Sequence, residues 1–99
     1  MNIKTERFIK ENWGHLSIGD ICKELSLPLY QVLEMAYELN LAKTKTPDIQ
    51  RRWTEDEDNF LKTYSMKIGI PEACNLLYRS RYGTYQRVKM LNLSQMIGK

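Results

Sequence analysis

The sequence predicts an all-α protein built from two similar three-helix units in tandem. Three observations carry this. Aligning the chain with itself at a gap-free offset of 52 residues pairs Phe8 with Phe60, Lys10 with Lys62, Ile18 with Ile70, Cys22 with Cys74 and Leu25 with Leu77. The same register pairs Tyr30 with Tyr82 and Leu39-Asn40-Leu41 with Leu91-Asn92-Leu93. Second, apolar residues recur at helical spacing and no segment alternates as a strand would. Third, helix start signals stand where each apolar stripe begins. Two copies are too few for a solenoid, so a duplicated small unit is the better account.

In the first copy, helix one is expected from about Thr5 to Trp13. Ser17 is the expected N-cap of helix two, with Ile18, Ile21, Cys22 and Leu25 inward. Helix three starts near Pro28 and buries Val32, Ala36 and Leu39. In the second copy, Thr54-Glu55-Asp56-Glu57 is a capping-box pattern, and its acidic turn complements the helix dipole. Phe60, Leu61 and Tyr64 carry that helix to about Ile68, where Gly69 is expected to stop it. Pro71 suits the first turn of a short second helix, and Ser80 caps a third from Arg81 to Leu91. Only a few residues separate the second and third helices of each copy, which is helix-turn-helix spacing.

The units are expected at residues 1–42 and 53–94, joined by a basic linker at 43–52 and followed by a flexible tail at 95–99. Units this small are marginal alone, so packing between them is expected. The net charge of +3 is unevenly spread: residues 1–43 sum to −1 and residues 44–99 to +4, with five basic and no acidic residues from Arg79 onward. Such local excess points to an anionic partner. No apolar run is long enough to span a bilayer and no secretory leader is visible, so a cytoplasmic protein without a membrane partner is expected. Cys22 and Cys74 lie far apart without metal-ligand spacing, and are expected as two buried thiols in a reducing compartment.

At Trp53-Thr54-Glu55-Asp56-Glu57-Asp58 the second copy resembles the Myb/SANT-like helix-turn-helix family, whose first helix opens with Trp-Thr and acidic residues. Arg79-Ser80, Arg87-Val88 and Leu91-Asn92-Leu93 are similar to the ending of its bacterial and phage members. The resemblance covers about residues 53–93 and implies double-stranded DNA as partner, in a phage or other mobile-element setting. The first copy resembles a degenerate unit of the same kind, without the Trp-Thr opening or the Arg-Ser turn.

On the third helix of the second copy, Gly83, Thr84, Val88 and Leu91 take the inward stripe. Arg81, Tyr82, Tyr85, Gln86 and Lys89 are left on the outer face. Arg81 and Gln86 suit guanine and adenine edges, while Tyr82, Tyr85 and Lys89 suit phosphates or thymine methyls. Arg79, in the turn, is expected to reach phosphate or cap helix two. Arg87 is expected either at DNA or as ion-pair partner of the acidic cluster at residues 55–58. Lys43, Lys45, Arg51 and Arg52 are expected to follow the DNA backbone or enter a minor groove, the alternative being a solvated tether. Trp13 and Trp53 are expected in the core.

The third helix of the first copy differs. Leu29, Tyr30, Leu33, Glu34, Tyr37 and Glu38 are expected outward, and its carboxylates would be repelled by phosphate. Tyr30, Leu33 and Tyr37 therefore call for a partner: the second copy, a second subunit in a homodimer, or another protein. No catalytic constellation, cofactor site or metal site is expected: His15 lacks a companion, capping accounts for Asp56 and Glu57, and the glycines are scattered. The leading expectation is a sequence-specific DNA-binding regulator of transcription. The alternatives are a protein-interaction module using the helix at 28–40 and a DNA-targeting accessory of a separate nuclease.

Overall fold

Three helices precede the linker and three follow it, in a computed structural model that describes residues 2–98; Met1 and Lys99, the ends of the expected first unit and tail, lie outside the described residues. Helices α1 (Ile3–Asn12), α2 (Ile18–Leu25) and α3 (Leu29–Glu38) form the first half. Helices α4 (Glu55–Tyr64), α5 (Ile70–Leu77) and α6 (Arg81–Met90) form the second. At the offset of 52 residues the bounds of α1, α2 and α3 fall on those of α4, α5 and α6. The punctuation also repeats: Ser26 and Tyr78 end α2 and α5 with φ 53°, and Asn40 and Asn92 follow α3 and α6 with φ 63° and 60°. These left-handed residues turn the chain at the same two places in each half. Among the described residues no strand is present, and no helix is long and apolar enough to cross a membrane.

Local chemistry accounts for the helix starts. The Asn2 side chain accepts the Thr5 N–H, Ser17 Oγ accepts the Asp20 N–H, and Ser80 Oγ accepts the Gly83 N–H. Thr54 and Glu57 close a reciprocal capping box at the start of α4. Each removes an orphan backbone donor from the first turn. One expected boundary is corrected. Helix α4 ends at Tyr64, and Gly69 opens α5 from an extended conformation with φ −103° instead of stopping α4. The chain turns through residues 65–67, which drops Ile68 into the core at 1% exposure.

The buried residues form one cluster running through both halves, from Ile9 and Trp13 to Val88 and Met96. Helix α3 is its centre, packed against α1 and α2 on one side and α4 and α5 on the other. A radius of gyration of 12.6 Å matches one domain of this length rather than two tethered bodies. The tail expectation is corrected as well. A 3-10 turn at Ser94–Met96 folds back and buries Met96 completely, because its thioether stem fills the core beside the last turn of α6. The linker is likewise no flexible tether. Asn75 Nδ2 donates to the Ala42 carbonyl at 2.8 Å, Thr46 Oγ1 to the Asn75 carbonyl at 2.8 Å, and the Ile49 N–H to the Tyr78 carbonyl at 3.0 Å. Gly14, with φ +85°, lets the linker pass: a Cβ there would stand 3.1 Å from the Lys45 carbonyl oxygen.

Candidate nucleic-acid interface

The second half is organised around a buried carboxylate. Glu57 is fully buried, and its two oxygens accept five hydrogen bonds. Arg79 meets it in bidentate fashion, Nε to Oε2 at 3.1 Å and Nη2 to Oε1 at 3.0 Å. Arg51 Nη2 adds a contact to Oε2 at 2.8 Å, and the Thr54 N–H and hydroxyl complete the set on Oε1. The arginines spend their other donors on carbonyls. Arg79 holds those of Arg51 and Arg52; Arg51 holds those of Ile49, Leu77 and Tyr78. Burial pushes the Arg51 guanidinium below its usual range, against the pull of Glu57, and neighbouring Arg79 adds to the depression.

This hub corrects three sequence expectations. The Arg79 side chain turns inward instead of toward phosphate: at 7% exposure it ties α4 to the end of the linker, while its backbone N–H caps α5 by donating to the Cys74 carbonyl at 3.1 Å. Arg51 is committed to the same carboxylate and to the turn before α6. Glu57 does cap α4, but capping does not exhaust it. A carboxylate in an amphipathic helix's first turn gives no sequence signal of this second duty, since its arginine partners lie 6 and 22 residues away.

Arg87 takes the ion-pair alternative. Its guanidinium binds the Asp58 carboxylate twice, Nε to Oδ1 at 2.9 Å and Nη2 to Oδ2 at 2.7 Å, and these bonds raise its pKa further. Trp53 is half-buried rather than wholly internal. The Arg79 guanidinium lies 4.1 Å from its ring centroid and that of Arg87 5.5 Å away. The Arg87–Asp58 pair ties α6 to α4, while Thr84 and Val88 fill the core beneath.

What remains on the outside of α6 is free of acid. Arg81, Tyr82, Gln86, Lys89 and Met90 are exposed and Tyr85 is half-buried, as Lys89 Nζ lies 5.4 Å from its ring centroid. Lys45, from the linker, lines one groove together with Arg81, Ser80, Asn75 and Asp48. A linker cation and the first residue of α6 thereby share one concave surface, some 36 positions apart in sequence. Arg52 and Lys43 are also exposed, the former beside Trp53 with its carbonyl held by Arg79.

The matching face of α3 has a different fate. Leu33 is completely buried, which corrects its outward placement. Tyr30 packs edge-on to Phe60 at 6.2 Å, and Tyr37 lies 4.7 Å from Tyr64. Polar groups join in: the Tyr30 N–H donates to Asp56 Oδ2 at 3.2 Å, and the Tyr64 hydroxyl to Glu34 Oε2 at 3.0 Å. Of the three expected occupants of this face, α4 of the same chain is the one present. The thiols are the smaller matter: Cys74 is buried and Cys22 half-buried, and burial raises the pKa of both. Compared with known proteins, the chain matches no protein-family model, no curated protein and no solved structure.

Proposed function

We propose that the chain is a sequence-specific DNA-binding protein of transcriptional control, with α6 as the helix that enters the major groove. The observation that carries this reading is the division of labour among the cations. Arg51, Arg79 and Arg87 are engaged by Glu57 and Asp58 within the fold, whereas Arg81 and Lys89 on α6 and Lys45 beside it are exposed and have no ion-pair partner among the described residues. Helix α6 carries no carboxylate, follows α5 across a three-residue turn, and is tied to α4 by the Arg87–Asp58 pair. That is what a reading head needs: a fixed helix, cations for phosphates, and extended donors for base edges. The resemblance of residues 53–93 to Myb/SANT-like units, the bacterial and phage members in particular, supports the same reading.

The first half then serves as a brace. Its third helix is spent against α4, so one molecule presents one reading helix. The rival reading, a protein-interaction module working through Tyr30, Leu33 and Tyr37, needs a face that α4 covers. Fluorescence anisotropy on random-sequence duplex at two salt concentrations tests the proposal. Binding that weakens steeply with salt is expected. Undetectable binding at low salt would remove it.

A further inference from the structure

The exposed surface of α6 is two ridges of different chemistry. Positions four apart share a helix face, so Arg81, Tyr85 and Lys89 form one row and Tyr82, Gln86 and Met90 the next. The first row is cationic. The second carries no charge, and its two ends are among the most exposed large apolar side chains of the chain, Tyr82 at 72% and Met90 at 60%. Together with Trp53 and Arg87 this neutral row borders a shallow depression. Met90 is not loose there: Arg87 Nη1 lies 3.5 Å from its sulfur, and Arg87 is itself clamped by Asp58. Apolar surface kept out of the core and held in place beside a cationic row suits a ligand that is anionic along its edge and apolar within its groove.

Resting on the DNA reading above, we propose that the Tyr82–Gln86–Met90 row is the base-reading ridge and that it selects thymine methyl groups on either side of an adenine. Gln86 presents the amide that pairs bidentately with an adenine edge, and the thymine C5 methyl is the apolar group that the major groove offers. Eight helical residues rise about 12 Å, comparable with three to four base-pair steps of about 3.4 Å. The Arg81–Tyr85–Lys89 row then lies toward the phosphates, which places the chain along the groove without choosing a sequence.

The test is a selection of bound sites from a random duplex pool with the full chain, followed by replacement of each thymine in the selected site by uracil. Uracil keeps every hydrogen-bonding group and lacks only the methyl. Removal of a contacted methyl is expected to weaken binding about three- to fivefold. Met90→Ala or Tyr82→Ala should erase that penalty at one position each while leaving the salt dependence as in the parent. Lys89→Ala should lower the salt dependence and keep the penalty. These side chains are exposed, and unchanged thermal melts verify that each variant is folded. A selected site without thymine, or equal binding of thymine and uracil duplexes, overturns the inference and leaves DNA binding standing. Absence of binding to any duplex at low salt removes both.

Discussion

Leu33 and Tyr85 occupy equivalent positions 52 residues apart, yet Leu33 is fully buried beneath α4 while Tyr85 lies half-exposed on the outer side of α6. The same register relates Tyr30 to Tyr82 and Glu34 to Gln86. In the first half, these positions build the seam between the halves. In the second, they stay open. Residues at equivalent positions of the repeat register thus meet different surroundings, and the seam leads to the first prediction.

Leu33→Ala should destabilise the whole molecule, not free a binding surface. The side chain sits in the continuous core, and removing it leaves a cavity costing about 2–5 kcal/mol. Urea denaturation should show one transition with a lower midpoint and an unchanged slope. A midpoint equal to that of the parent would show that α3 and α4 do not pack in solution.

Glu57→Ala should be at least as damaging. It strands two guanidinium groups around an apolar pocket, and breaking a buried pair by removing one partner costs about 3–5 kcal/mol. Arg79→Lys should also destabilise, since an ammonium cannot make both the bidentate contact and the two carbonyl bonds. Thermal melts check both. A Glu57→Ala melting temperature like the parent's would contradict the hub.

Arg81→Ala, Lys45→Ala and Lys89→Ala should leave thermal stability nearly unchanged and flatten the salt dependence of DNA binding. Each phosphate contact contributes about 0.9 to the slope of log affinity against log salt. Arg81→Ala and Lys89→Ala should weaken all sites alike and leave site preference unchanged. Arg79→Ala supplies the contrast: a folding defect without a specific loss at phosphate.

Stability should fall at high pH through Tyr64. Burial, and then the hydrogen bond to the Glu34 carboxylate, raises its pKa from 10.0 to about 12. The folded state holds the phenolic proton more tightly than the unfolded chain does. The resulting stabilisation is fully present below pH 10.0 and is lost as pH rises toward about 12. Tyrosinate absorbance and melts across this window should show the loss, and Tyr64→Phe should remove its share. Tyr78, whose pKa burial also raises, contributes in the same direction.

Much of this protein follows from local rules. The capping box at Thr54 and Glu57, the caps at Ser17 and Ser80, and Pro71 in a first turn mark helix starts that depend only on neighbouring residues. The inward placement of Thr84 and Val88 leaves Arg81, Tyr82, Gln86 and Lys89 outward by helical periodicity alone. The misplaced features are those that require a distant partner. Gly69 reads as a stop when only its own helix is considered, and Met96 reads as tail until the core it fills is known. Met90 carries no signal in the sequence, because exposure of an apolar residue is decided by what fails to pack on it.

The all-α class, most helix bounds and the outer face of α6 are legible in the amino-acid order, because each rests on helical spacing and on bonds within a turn or two. Which arginines are held in ion pairs follows from long-range packing alone. Arg51 and Arg79 meet over one buried carboxylate, and Arg87 meets Asp58 across 29 residues. Long-range packing also makes the outer face of α3 a seam within the chain. A charge or an apolar stripe announces that it needs a partner, but the fold supplies the partner's identity, since burial and ion pairing depend on what arrives from elsewhere in the chain.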